Sequence, residues 1–465
     1  MGTWREYHEA TKHTPERLRR ASYSLDWANM PNPFRHYEGI PVLDLPADPE
    51  APDIAVWDVL RGHLGHTEAR DGAAFLSRLL FYSAAISASK LAPATGAHYA
   101  LRVNPSSGNL HPTEFHFATR GLAGWPDGLY HYRPSQHMAE QRGRGDFGFD
   151  GTLVFVLTTI AWREAWKYRE RAYRYCLHDA GHALQALELA ARAMGCTCSV
   201  AGSFDDREVA GRLGLAEDEW PMLVITMRGA GMPAVEQGEP GWDWLGGTPN
   251  ELSAAPMVPD LIEQIHAATC GIGAAWGMGM GTAEDGPAFG GRGFGEVVRT
   301  RRSALDFVGG ARSMTMAELL ALLSVARAPL LTPYLYVHRV AGLAAGLYRF
   351  AGDLELIHAG DQRVAAAGLS LGQDLAGNAC AAFSMIADLE GAAAMYGDRG
   401  YRYAHFEAGA LGHRLYIAAE AMGLGATGIG AFFDDRVHEY LGIENGQVIY
   451  HFAVGYPIPD PRLEA

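Results

Sequence analysis

Apolar residues recur at helical spacing through Ala180, Ala183, Leu184, Leu187, Ala191 and Met194, which predicts a buried helix. Gly195 follows it as a C-cap, and Gly423 closes a second stretch of the same pattern. Short apolar runs read instead as strands: FHFAT at 115–119, LVFVLTT at 153–159, MLVITM at 222–227, YLYVHR at 334–339 and VIYHFAV at 448–454. Buried helices mixed with short strands predict an α+β sandwich.

The pattern occurs twice. YRERAYRYCLHDAGHALQALELAARAMG (168–195) aligns without a gap on YGDRGYRYAHFEAGALGHRLYIAAEAMG (396–423). The flanks continue it: CSVAGSFDDREVAGRLGL answers TGIGAFFDDRVHEYLGI, and GLAGWPDGLYHY answers VAGLAAGLYRF. Duplication explains this far better than chance. Between the copies, residues 229–260 are rich in Gly and Pro, and 271–295 are rich in Gly. These glycines have no strand–turn–helix context, so they predict a linker or lid rather than a dinucleotide loop. The expected organisation is an N-terminal arm (1–60), a first domain (61–230), a linker (231–290) and a second domain (291–465).

Composition supports two folded units. The chain has 465 residues, 48% hydrophobic and 20% charged, too much for one ordinary core. A formal net charge of -15 argues against nucleic acid. No clean apolar run spans a bilayer, and the polar N-terminus has no signal-peptide core. Five scattered cysteines lack zinc or redox spacing and read as reduced thiols of a cytoplasmic protein. His178 and His182 stand four apart on the predicted helix, but no HExxH carboxylate accompanies them, so packing is expected rather than a metal. No GxSxG recommends a hydrolase.

Several motifs resemble, in order, those of the FMN-dependent nitroreductase superfamily, and within it the SagB-type dehydrogenases that oxidise azolines. They are YHEATK (7–12), RVNPSSGNLHPTEFH (102–116), GLYHY (128–132), WKYRERAYRY (166–175), RTRRSALDF (299–307) and GATGIGAFFDD (425–435). The resemblance covers most of the chain. It implies two tandem nitroreductase-like units forming a pseudo-dimer within one chain, with FMN between them.

What each half kept is then informative. Arg301-Arg302-Ser303 survives only in the second half; guanidinium forks grip a phosphate bidentately, as the resemblance implies for the flavin phosphate. Arg102 and the turn Pro105-Ser106-Ser107-Gly108-Asn109 survive only in the first, and offer backbone N–H groups, hydroxyls and an amide to the flavin. The second half reads SVARAPLLTPYLYVHR there. Gly428-Ile429-Gly430 would let the backbone approach flavin N5, whereas the first half has Val200-Ala201-Gly202. Lys167-Tyr168 resembles the family's catalytic base pair, and its counterpart is Met395-Tyr396. Free Lys and Tyr titrate near ~10, so burial beside Arg171 or Arg174 is expected to lower one of them. One FMN site per chain follows.

The implied chemistry is FMN-dependent dehydrogenation. A base removes a proton beside a carbonyl and hydride leaves the next carbon. The substrate would be an azoline or related peptide or amino-acid-derived molecule of natural-product biosynthesis, with a cyclodehydratase or carrier protein as partner. Three readings compete: an NAD(P)H-dependent nitro or quinone reductase, a non-catalytic peptide-binding scaffold, and a flavin-binding enzyme doing neither, such as a cyclodipeptide-type oxidase.

Overall fold

A computed structural model describes residues 3–20, 24–67, 69, 71–91, 96–236, 241–277, 287, 289–310 and 312–463. Much of the expected Gly-rich lid, 278–286 and 288, lies outside the described residues. The chain forms two units of mixed helix and sheet, as the duplicated pattern predicts.

The first unit is built on an antiparallel sheet in the order Trp242–Trp244, Met138–Gly145, Gly128–Arg133, Thr113–Thr119, Leu153–Ile160, Glu219–Arg228, Thr197–Ala201. Strand Val42–Asp44 also pairs with Met138–Gly145. The second sheet repeats six of these in the same order: Leu354–Ala359, Gly346–Phe350, Leu331–Val337, Ala381–Ala387, Gln447–Gly455, Gly425–Ile429. Each run anticipated as a strand falls in one of these, except that the run at 334–339 overshoots: its strand ends at Val337, leaving His338 and Arg339 beyond it. Thr113–Thr119, Leu153–Ile160 and Ala381–Ala387 are buried along their whole length, which is why LVFVL reads as a continuous rather than alternating apolar run, while Glu114 and His116 are buried polar residues within theirs.

Two 22-residue helices, Ala172–Ala193 and Gly400–Ala421, pack on each other between the sheets. Both end before a glycine of positive φ, Gly195 and Gly423. They cross at Gly181 and Gly409. A Cβ on Gly181 would lie 2.2 Å from the Phe406 carbonyl oxygen, and one on Gly409 would lie 2.1 Å from that of His178. Only the missing side chains let the two backbones come this close.

The same two-fold logic governs the ends of the helices. Arg171 and Arg174 reach across to Asp434 at 3.0 and 2.9 Å, and Arg399 and Arg402 reach back to Asp206 at 2.5 and 2.8 Å. Arg174 also bonds Thr11 Oγ1, and Arg402 bonds Thr269 Oγ1. Helix Trp4–Ala10 and helix Asp260–Ala268 therefore play equivalent parts, and YHEATK at 7–12 has a faint echo in IHAATC at 265–270. That second helix stands within the stretch expected as linker. Burial alone would push both aspartates up; the paired arginines outweigh it and hold both below the ordinary carboxylate range. His266 and Cys270 lie near Asp206, but Arg402 touches all three, which suits a charge cluster rather than a cation. Among the described residues no helix is long and apolar enough to cross a membrane.

The helix crossing can be tested directly. Gly409→Ala should destabilise by about 3 kcal/mol, since two backbones must separate. Gly211→Ala, in an open part of helix Asp206–Leu213, should stabilise by about 0.5–1 kcal/mol. Urea denaturation of the two variants checks both signs.

Candidate functional site

Helix Phe294–Thr300 ends at Arg301, which opens the run Arg301-Arg302-Ser303. Its partner across the pseudo-dyad is helix Val56–Leu60: Val56 N–H donates to Arg292 O, and Phe294 N–H donates to Ile54 O. In this register the first half carries His63-Leu64-Gly65 where the second carries the arginine pair.

Arg301 is 3% exposed, and among the described residues no carboxylate hydrogen-bonds it, although the charge of Glu420 acts on it. Its Nε and Nη2 reach only the backbone oxygens of Val103 and Arg102, and Nη1 has no partner. Burial pulls this guanidinium below its ordinary range. Arg302 is pulled down to about 10, first by burial and then by repulsion from Arg301 and Arg299. Arg102, fully buried, is also drawn to about 10 by desolvation. Among the described residues these guanidinium groups hydrogen-bond only backbone oxygens and the Ser87 hydroxyl, an arrangement that suits an anion.

These arginines line one cavity of about 350 Å³ between the two units. Pro105, Ser106, Ser107, Gly108 and Asn109 form one wall, and Gly428, Ile429 and Gly430 form the other. Ser303 and Tyr168 also line it. Lys167 instead lines an adjoining hollow that shares Gly108 and Asn109 with the cavity. The Lys167 ammonium sits 5.2 Å from the Tyr168 ring centre. A Cβ on Gly108 would meet Tyr168 Oη at 2.7 Å and Lys167 Nζ at 3.0 Å, so the pair closes directly over the turn. Arg171 and Arg174, expected beside this pair, are committed to Asp434. The residue after the pair, Arg169, holds φ 53, ψ -135, where the other half has Gly397 at φ 64, ψ -162. A non-glycine residue in that region is strained.

The turn is held more tightly than its sequence shows. Gly108, Asn109 and His111 all have positive φ. The Ser106 hydroxyl accepts from His111 N–H, and the Asn109 amide donates to Ala100 O while its oxygen meets His111 Nε2. Ser107 gives both N–H and Oγ–H to Asp179, at 2.9–3.1 Å. These side chains are spent on shaping the turn, so what faces the cavity is a preformed edge rather than loose donors.

Asp179 was not foreseen as a site residue, because its partner is found only across the fold. It projects from the first long helix and is pushed up to about 7 by desolvation, against the serine hydrogen bonds. Glu164, buried on helix Ala161–Tyr168, is held well above its ordinary range by burial and by the Asp179 charge. Tyr416 is a second unforeseen residue. Its hydroxyl meets Ser303 Oγ at 2.9 Å and accepts from Gly428 N–H at 2.9 Å, tying the arginine run to the glycine turn. The matching position in the first half is Glu188, turned to Arg192. Gly428 and Gly430 are small because tyrosines press on them: a Cβ would lie 2.0 Å from Tyr450 Oη and 2.2 Å from Tyr175 Cε1. His182 bonds Tyr450 Oη at 3.0 Å and His178 stacks on the Tyr450 ring, so both histidines serve packing around the cavity.

The opposite pseudo-site is filled. In the register of the long helices, Tyr403, Glu407 and Gly202 answer Tyr175, Asp179 and Gly430. There the indole of Trp276, 4% exposed, lies flat on Tyr403 at 4.5 Å and 2°. A Cβ on Gly202 would touch it at 2.5 Å. The chain supplies its own aromatic plug where the other side keeps a cavity.

Comparison with known proteins agrees with this architecture. The nitroreductase family model matches residues 84–230 and 346–456. A crystal structure of a candidate nitroreductase from Anabaena variabilis superposes over 98% of this chain and 100% of its own, with TM-score 0.79 and 29% identity, so the two-unit arrangement is shared. A candidate nitroreductase of Methanocaldococcus jannaschii is 32% identical over 114 residues; the match spans 24% of this chain and 58% of that relative's length.

Two outcomes follow from the site. A carboxyl raised in the fold keeps its proton there between pH ~4 and 7 while the unfolded chain has lost it, so its contribution fades as pH rises through that window. Asp179→Asn should therefore flatten the fall in stability across that window, by up to about 1.4 kcal/mol per pH unit; chemical denaturation at pH 5 and pH 8 checks it. Trp276→Ala should cost about 3–5 kcal/mol, as removal of a fully packed indole leaves a void, and thermal unfolding reads this.

Proposed function

Because the chain belongs to the nitroreductase family, whose members typically bind flavin, we propose that the cavity between its units holds a single FMN and that the protein is an FMN-dependent dehydrogenase. The observation that carries this reading is a cluster of three buried or half-buried arginines, one with an unpartnered Nη1, facing a preformed turn in a chain of net charge -15. Arg301 and Arg302 would hold the phosphate, Ser303 adding a hydroxyl positioned by Tyr416. The turn 105–109 and the glycine run 428–430 would flank the ring and its side chain, in the space that Trp276 fills on the other side. The residues present fit the group: a buried Arg301 Nη1 lacks a partner, and among the described residues that line the cavity Asp179 is the one carboxylate.

Bound FMN supplies a two-electron acceptor. Lys167 and Tyr168 would take the proton from the carbon beside a carbonyl, standing over the Gly108 turn where a substrate must lie to reach the cavity. Trp166 and the segment around Trp27 would keep water from that point. The substrate class favoured by this pair is an azoline or a related amino-acid-derived molecule, made by a partner cyclodehydratase or held on a carrier protein. The alternative, an NAD(P)H-dependent nitro or quinone reductase, uses the same cavity and is favoured by the candidate nitroreductases that the chain resembles.

Released flavin counted per chain tests the site: one FMN is expected and two would refute the reading of Trp276 as a plug. Arg301→Ala with Arg302→Ala should weaken FMN at least about 100-fold, the loss of a charge-assisted phosphate grip. Lys167→Ala should keep FMN, seen in its visible spectrum, yet abolish dioxygen uptake with azoline peptides. NADPH oxidation that survives Lys167→Ala while azolines go untouched would select the reductase.

A further inference from the structure

The hollow beside the flavin cavity has a chemistry of its own. It is about 380 Å³ and meets the cavity at Lys90, Leu101, Gly108 and Asn109. Widely separated stretches build it: the N-terminal segment around Trp27, the strand pair Ile86–Leu91 and His98–Arg102, helix Ala161–Tyr168, and Arg462 near the end of the chain. The last of these is pinned in place, since Leu91 N–H donates to Arg462 O at 2.9 Å.

Its walls are aromatic and its charges are all positive. Trp27 remains 64% exposed although its ring stands edge-on to Trp166 at 5.3 Å. Trp166 is itself anchored, donating from Nε1 to Asp26 O. Tyr99 and Leu110 complete the apolar surface. An indole left open in a concave wall is surface waiting to be covered. Lys90, Lys167 and Arg462 line the same hollow, and no carboxylate does among the described residues. Lys90 and Arg462 share one acid, Asp460, each at 2.8 Å, so two cations answer a single carboxylate and leave an excess of positive charge.

We propose that this hollow holds the body of the substrate and that, within the amino-acid-derived class favoured above, the substrate is a small aromatic carboxylic acid with its carboxylate free rather than a peptide. Its ring lies against Trp27, Trp166 and Tyr99, its carboxylate meets Lys90 and Arg462, and the carbon to be oxidised is thereby brought past Lys167 toward the cavity. Calling this ligand a substrate rests on the flavin reading above; the pocket chemistry does not.

The test is isothermal titration calorimetry on the full chain, FMN-loaded and after flavin removal, with 2-naphthoate, 2-naphthamide and 2-naphthylmethylamine. Naphthoate should bind in both states, the neutral amide at least tenfold more weakly, and the amine not at all. Trp27→Ala and Arg462→Gln should each weaken naphthoate at least tenfold, whereas Arg302→Gln should not. Trp27 is largely exposed, so its truncation leaves the fold in place. Equal binding of acid and amide would overturn the proposal, as would loss in Arg302→Gln with no change in Trp27→Ala, which would put the probe in the phosphate cradle. Tighter binding of the tripeptide Gly-Gly-Phe than of naphthoate would overturn the small acid in favour of a peptide end. FMN uptake is read separately from absorbance: naphthoate bound by a chain that never takes up FMN would sink the flavin reading and leave this one standing.

Discussion

Everything in this molecule hangs on two glycines meeting face to face. Gly181 and Gly409 let two long helices approach until the backbone of one touches the other, with the two Cα atoms brought within the reach of a single absent methyl group. This contact sets the axis about which the halves are related. Once it is set, Arg171 and Arg174 fall opposite Asp434, and Arg399 and Arg402 fall opposite Asp206. These buried pairs are poor sources of net stability. Their value lies in specificity, because each carboxylate left without its arginines would be a buried charge with no partner. The crossing also decides that a cavity must form between the units, since residues of both helices, Asp179 and Tyr416, reach into it from either side.

The sheets and long helices were legible in the sequence because their cores are apolar at regular spacing, and because the same spacing occurs twice. The duplication made the losses legible too. Ser106 and Ser107 are conspicuous only because Ser324 and Val325 stand in the other half. The residues whose role the sequence hides are those whose partners lie far along the chain, brought close only by the fold. Asp179 is one more polar residue on a helix until Ser107 is seen to donate to it twice. Tyr416 reads as core until its hydroxyl is found between Ser303 and Gly428. Helix Asp260–Ala268 was read as linker because only a histidine and an Ala-Thr step connect IHAATC to YHEATK; the shared feature is a set of backbone and hydroxyl acceptors for an arginine, which many sequences can supply. The Phe-Asp-Asp steps mislead in a similar way: the eye matches them letter for letter, while the helix register pairs Asp206 with Asp434.

Trp276 shows how a symmetric fold becomes asymmetric at low cost. A flat ring bound between two units can be exchanged for a flat side chain, provided its polar edge finds an acceptor; here the indole N–H points to Glu407 at 3.4 Å. With such a plug in place, any group there that would grip an anion loses its purpose, and buried arginines without an anion are a burden. His63 and Leu64 in place of an arginine pair fit that loss of purpose, and so does Val200 where the other half keeps Gly428.

The surviving cavity carries the opposite burden. Arg301 stays buried and unpaired in a protein that is acidic overall, so the charge balance of this one place differs from that of the surface around it. A chain that had abandoned the site would relieve the strain most simply by placing a carboxylate opposite Arg301 or by losing the arginine, as happened across the dyad. It has done neither, and Tyr416 continues to tie Ser303 to the glycine turn. Retention of an electrostatic cost, together with a turn whose serine and asparagine side chains are spent on holding its own shape and a strained Arg169 beside Lys167, argues that the cavity is kept for a ligand that offsets the cost when it binds.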